Sequence, residues 1–175
     1  MPKFESFKGL DGVWSRSLSP KLDERGYFIE GLRNYDLPEN VDNFVQDSYS
    51  FSKKNVLRGM HIQLKQWQLI TIIEGSIVDV LINLERTSGN FLKSASFTLS
   101  WDGLNQILVA PGFAHGFAVI SDTAKIHYKS SVYYGSTEQF GIRWDSPEII
   151  GYWPGLEWTI SQRDQEFPSS KEISI

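Results

Sequence analysis

Apolar and polar residues alternate with a period of two over much of the chain. In Ser94–Ser100, Ala95, Phe97 and Leu99 alternate with Ser94, Ser96, Thr98 and Ser100, the spacing of a strand with unlike faces. Residues 76–84 place Val78, Val80, Ile82 and Leu84 on one face, with Asp79 and Asn83 among those on the other. Short runs at 67–73, 106–109, 117–120 and 125–134 predict further strands. Turn signals punctuate them at Glu74-Gly75, Ser88-Gly89-Asn90, Asp102-Gly103, Pro111-Gly112 and Ser121-Asp122. Helical periodicity is weak, and only the segment after Asn34 and the C-terminal tail suggest short helices.

Many short strands with regular turns predict an all-β protein, either a sandwich or a closed barrel, and a jelly roll is one standard solution. No repeat or linker-like stretch divides the chain, so one domain over 1–175 is expected, long enough to bury a core without staples. Inward and outward residues alternate in a barrel, so polar side chains from several strands can line one mouth.

Composition narrows the function classes. A net charge of −4 opposes non-specific nucleic-acid binding, although a local Arg/Lys pocket can still hold a pyrophosphate. The chain has no cysteine, which removes disulfides, thiolate catalysis and cysteine-ligated metal. Residues 1–10 lack the apolar core of a secretory signal, and no apolar run is long enough to span a bilayer. A soluble, cytoplasmic protein is expected. The aromatic share of 14% suits strands and equally suits a site that stacks flat rings.

Three histidines carry most of the candidate chemistry. A single histidine in a β protein is commonly a packed or surface residue, and His127 is read so. His61 in Leu57-Arg58-Gly59-Met60-His61-Ile62-Gln63 and His115 in Gly112-Phe113-Ala114-His115-Gly116 stand among glycines, where backbone can approach a ligand closely. Arg58 and Gln63 flank His61 and suit phosphate and sugar groups. Metal-binding jelly rolls commonly carry two histidines two residues apart, but Gln63 stands at the second position here, so a metal would need an unusual ligand set.

The segment 23–30 reads either as a turn entering an amphipathic strand or as Arg25 for phosphate beside Tyr27 and Phe28 for stacking. Tyr128, Ser130, Val132 and Tyr134 would share one strand face, which places a tyrosine hydroxyl at the barrel rim or pointing inward. Asp164, taken alone, is a polar residue of the tail.

These pieces together resemble the dTDP-4-dehydrorhamnose 3,5-epimerase family. The landmarks occur in the family's order: Asp-Glu-Arg-Gly-Tyr-Phe at 23–28, Phe-Val-Gln-Asp-Ser-Tyr-Ser at 44–50, Asn-Val-Leu-Arg-Gly-Met-His-Ile-Gln at 55–63 and Gly-Phe-Ala-His-Gly-Phe at 112–117. Tyr128-Lys129, Tyr133-Tyr134, Ile-Arg-Trp-Asp-Ser-Pro at 142–147, Trp153-Pro154 and Ser-Gln-Arg-Asp at 161–164 complete them. The resemblance implies a cupin-type jelly-roll barrel with short peripheral helices, a homodimer, no metal or redox cofactor, and a nucleotide-sugar substrate in polysaccharide (for instance lipopolysaccharide) biosynthesis. It implies that His61 is the catalytic base, Asp164 the carboxylate that orients it, and Tyr128 the proton donor on the opposite sugar face. It also places Arg25, Phe28, Glu30, Gln46, Ser48, Arg58, Gln63 and Tyr134 around nucleotide, pyrophosphate or sugar, part of the N-terminal set reaching the partner's site.

The chemistry suits those assignments. A ketone at C4 acidifies the hydrogens on C3 and C5, because the carbanion is delocalised as an enolate. Inversion then needs a base on one face, an acid on the other and donors toward the oxygen. The chain departs from the family at Gln68, where a lysine usually stabilises the enolate, and at Ser48, usually asparagine. An amide supplies no charge, so His115, or less directly Lys65, becomes the candidate for that task. Three alternatives stay open: a single-centre 3-epimerase on a carrier other than dTDP, a non-catalytic sugar-nucleotide-binding subunit, and a metal-dependent cupin enzyme.

Overall fold

The computed structural model describes residues 3–135, 140–155 and 157–173. The described strands are β1 (Glu5–Ser6), β2 (Val13–Arg16), β3 (Lys21–Asp23), β4 (Gly26–Phe28), β5 (Gln46–Lys53), β6 (Leu57–Gln63) and β7 (Gln68–Glu74). They continue as β8 (Ser76–Asn83), β9 (Ser94–Ser100), β10 (Gln106–Val109), β11 (Phe113–Val119), β12 (Thr123–Ser130) and β13 (Phe140–Gly141). Short 3₁₀ turns at Asn34–Asp36 and Ile150–Tyr152 and one helical turn, α1 (Gln162–Gln165), are the helical content.

A six-stranded sheet, ordered β1-β2-β10-β7-β12-β5, packs on a five-stranded sheet, β13-β6-β11-β8-β9, and β3–β4 form a separate hairpin. This is the expected all-β, cupin-type jelly roll. Pairing is antiparallel throughout both sheets. The strands β9 and β10 fall where the alternation placed them.

Two apolar layers hold the sheets. Ile70, Ile72, Leu81, Phe97, Ile107, Phe117 and Ile126 pack between them, with Tyr128 against this cluster. Met60, Ile62, Val80, Ile82, Ile142 and Trp153 pack on the outer face of the five-stranded sheet, where the C-terminal segment covers it. That cover explains why β8 is buried on both faces, so Asp79, read from the sequence only as the polar side of an alternation, points into the barrel.

Two strand predictions need correction. The strand predicted to start at 117 begins at Phe113, because the glycine-rich stretch is itself paired, with a register shift between His115 and Phe117. The strand predicted to reach 134 ends at Ser130, where Ser131 turns back to donate its N–H to Trp67 O. Val132 and Tyr134 therefore lie beyond it and do not share its face.

The outer face of β5 and β12 is solvent-facing in the single chain. Tyr49 is 73% exposed and stacks on His127, while Asp47 joins His127 and Lys129. The β3–β4 hairpin is exposed along its whole length, held by Tyr27 against Trp101.

Candidate active site

Two glycines allow the site to form. Gly59 has φ +129°, and a Cβ there would lie 2.5 Å from Gly116 Cα. A Cβ on Gly116 would lie 2.7 Å from Arg58 O. Only side-chain-free backbone lets β6 and β11 approach so closely at this bulge, and His61 and His115 come directly opposite each other in register.

Gly59 has a second task. Its N–H donates to Asp164 Oδ2 at 3.1 Å, and His61 Nε2 lies 2.9 Å from Asp164 Oδ1. Asp164 sits in the single helical turn, capped by the Ser161 hydroxyl that accepts from its N–H. Burial works to raise its pKa, but the hydrogen bonds from His61 and Gly59 and the nearby imidazole outweigh it and hold the carboxyl below its ordinary value. With Nε2–H directed at Asp164, Nδ1 of His61 carries the ring's lone pair. Phe167 meets the ring edge-on at a centroid distance of 5.9 Å.

His61 opens onto a cavity of about 290 Å³ between the two sheets. Tyr128 lines it from β12 in the opposite sheet, its hydroxyl 3.3 Å from Ser50 Oγ. Burial pushes the phenol's pKa well up, so it keeps its proton through neutral pH. The cavity thus has a carboxylate-held imidazole on one wall and a protonated phenol on the other.

Most other candidates converge here. Gln46, Ser48, Arg58, Gln63, Gln68, His115 and Tyr134 all line the cavity. Gln46 donates to Ser48 Oγ and accepts from the Tyr134 N–H, tying the loop after β12 to the start of β5. Arg58 donates to Ser52 Oγ at 2.9 Å, which places its guanidinium at the mouth.

Five candidates are placed differently. Asp164 stands behind His61 rather than on the wall. Arg25, Phe28 and Glu30 are absent from the lining, Arg25 being paired with its neighbour Asp23. The Lys65 side chain, weighed as an enolate cation, is exposed and does not line the cavity.

Sequence reasoning also passed over Gln66, Tyr133 and Arg163 of the lining, and Asp79 behind it. Asp79 had a legible signal, a lone carboxylate inside the run Ile77-Val78-Asp79-Val80-Leu81-Ile82. Arg163 had one too, standing beside the His61 partner Asp164 in Gln162-Arg163-Asp164. Among the described residues, no three His, Cys, Asp or Glu side chains gather as a metal-binding group.

A jelly roll whose cavity sets a His–Asp pair against a protonated tyrosine is an acid–base isomerase site. The sequence profile of the dTDP-4-dehydrorhamnose 3,5-epimerase family matches residues 8–172, and the chain belongs to that family. It is 37% identical over 153 residues to the dTDP-4-dehydrorhamnose 3,5-epimerase of Shigella flexneri, covering 83% of this chain and 84% of that one. It is 34% identical to the Methanothermobacter thermautotrophicus enzyme of the same name, covering 98% and 93%. The crystal structure of the dTDP-6-deoxy-D-glucose-3,5-epimerase of Legionella pneumophila, in complex with dTDP-4-keto-L-rhamnose, superposes with a TM-score of 0.90 at 30% identity, covering 98% and 94%. The chain is an enzyme of the isomerase class.

Proposed function

We propose that this enzyme epimerises C3 and C5 of a dTDP-linked 4-keto-6-deoxysugar, without a cofactor, by proton removal at His61 and return from Tyr128. The observation that carries the reading is the placement of His61 and Tyr128 on opposite sheets of one cavity, with Asp164 2.9 Å behind the histidine. Nδ1 of His61 takes the proton from the carbon beside the ketone, and the C–H electron pair becomes the enolate π bond. Asp164 stabilises the imidazolium that results. Tyr128 then gives its proton to the carbon from the other face, which inverts the centre. His61 releases a proton to solvent and Tyr128 regains one, closing the cycle.

Arg58 and Arg163 at the cavity supply cationic groups for a pyrophosphate, with Gln46, Ser48 and Gln63 for sugar and phosphate hydrogen bonds. We assign Tyr134, 75% exposed at the mouth, to the nucleotide side.

Arg25, Phe28 and Glu30 fit the same reading through a second copy. They lie outside their own cavity, on or just after a projecting hairpin where Leu22, Tyr27 and Phe28 are exposed, and β5 offers Tyr49 and Phe51 at a sheet edge. A homodimer that hands the hairpin to its partner accounts for both features. The cytoplasmic location expected from the sequence belongs to this reading. Among the described residues, no helix is long and apolar enough to cross a membrane.

The test is NMR of dTDP-4-keto-6-deoxyglucose incubated with enzyme in deuterium oxide. Deuterium at C3 and C5, lost in His61→Ala, supports the assignment. Label at C3 alone makes the enzyme a single-centre epimerase, which the neutral Gln68 amide at the inner wall also suits. Tight nucleotide-sugar binding with no label sinks the catalytic reading.

A further inference from the structure

Each inversion leaves Tyr128 without the proton it gave to carbon, and inversion at both C3 and C5 asks for that proton twice from one bound sugar. Burial pushes the phenol's pKa well up, so the phenolate left by the first transfer is a costly buried charge. It has to be reprotonated before the second transfer. The sugar then fills the cavity that Tyr128 lines, so the incoming proton needs a route on another side of the phenol.

Among the described residues, the hydrogen-bond partner of the Tyr128 hydroxyl is Ser50 Oγ, at 3.3 Å. Ser50 stands on β5 diagonally across from Tyr128, whose direct partner in register is Ser48. Unlike Ser48, Ser50 does not line the cavity; it is half-buried, and β5 is the edge strand of its sheet. Its hydrogen bond works against burial on the phenol's pKa, as a donor to the phenolate does. The neighbouring hydroxyls of this wall are engaged elsewhere: Ser48 accepts from Gln46, Ser52 from Arg58 and Ser130 from Gln66.

We propose that Ser50 is the proton relay that recharges Tyr128 while the sugar is still bound. The inference rests on the epimerase reading at two carbons and adds the step by which one phenol serves both. After Tyr128 has given its proton to the first carbon, the Ser50 O–H bond breaks and its proton forms a new O–H bond on the phenolate oxygen. Ser50 Oγ takes a proton from a solvent water in the same movement, and the hydroxide left behind is neutralised by the proton that His61 releases. The net change is one proton passed from His61 to Tyr128 through solvent, with nothing oxidised or reduced. Ser50 bonds the phenol from outside the cavity lining, so it acts on the reaction through Tyr128, as a positioning residue for the proton.

The experiment follows wild type, Ser50→Ala and Ser50→Thr by NMR of quenched time points, with dTDP-4-keto-6-deoxyglucose in deuterium oxide as the probe and thermal unfolding as a folding control. Expected for Ser50→Ala are a first inversion within about threefold of wild type and a second slowed about tenfold or more. Singly inverted sugar then becomes the main product released. Ser50→Thr, which keeps the hydroxyl, should restore the wild-type ratio of singly to doubly inverted product. A contact that only orients Tyr128 would slow both inversions alike, and that result overturns the proposal. So does a folded Ser50→Ala enzyme with the wild-type product ratio, or a folded Ser50→Thr enzyme that behaves like Ser50→Ala. If wild type itself incorporates no deuterium, the epimerase reading fails and takes the relay with it. Label at C3 alone in wild type removes the second inversion and the relay, and leaves a single-centre epimerase.

Discussion

His61 Nε2 lies 2.9 Å from Asp164 Oδ1, although 103 positions separate the two residues in the chain. The same carboxylate accepts the Gly59 N–H, so the imidazole and the backbone two residues before it share one anchor. His61→Ala should cost at least about a thousandfold in kcat, the range for loss of a positioned general base. Asp164→Asn should fold and bind substrate yet lose about a hundredfold or more, because an amide neither fixes the tautomer nor stabilises the imidazolium. Single-turnover rates with the dTDP-linked ketone check both.

The role proposed for Tyr128 predicts that exchange and inversion can be separated. With Tyr128→Phe, His61 can still remove and return the proton on its own face, so deuterium exchange into recovered substrate should persist while epimer formation falls about a hundredfold or more. Product analysis by NMR distinguishes the two. Equal loss of exchange and inversion would mean that Tyr128 is needed before the enolate forms.

The Gly59–Gly116 contact is a stability prediction. Gly59→Ala adds a Cβ 2.5 Å from Gly116 Cα at a φ of +129°, where neither backbone can yield without breaking the bulge. A loss of about 3 kcal/mol or more is expected from combined strain and overpacking. Chemical denaturation measures it. A variant within about 1 kcal/mol of wild type would show that the strands can separate here.

Asp164 also makes stability depend on pH. Its folded pKa is depressed, so its contribution is complete above the ordinary carboxylate value and disappears as pH falls through the folded value. The difference in Tm between wild type and Asp164→Asn should therefore be largest near neutral pH and shrink toward about pH 3. A difference that grows in acid would reverse the sign assigned to this group.

The hairpin predicts exchange of parts between subunits. If Arg25 serves the partner's cavity, mixing inactive His61→Ala with weakened Arg25→Ala should yield mixed dimers more active than either alone. One of their two cavities then has both residues intact. Sedimentation velocity gives the assembly state of each sample. Monomers throughout, or no gain on mixing, would remove the partner's share.

The period-two alternation determined much of the barrel from the sequence alone. Strand faces depend on local spacing, so β9 and β10 were legible residue by residue. The ordered motifs similarly named His61, Tyr128 and Asp164, each carried at a local spacing, and the fold brings the three together, Asp164 behind His61 and Tyr128 across the cavity. What local spacing could not decide was which faces meet. Asp79 is an ordinary polar position in an alternation until the C-terminal segment covers the other side of β8 and turns the carboxylate inward beside His115. Tyr134 left the predicted strand because Ser131 found its partner in Trp67, a residue far away in sequence. Arg25, Phe28 and Glu30 were named by motif yet stand outside their own cavity. The charge state of the inner wall belongs wholly to tertiary structure. Burial removes water from Asp79, and only the packing of β7, β8 and β11 sets which neighbours remain to answer it.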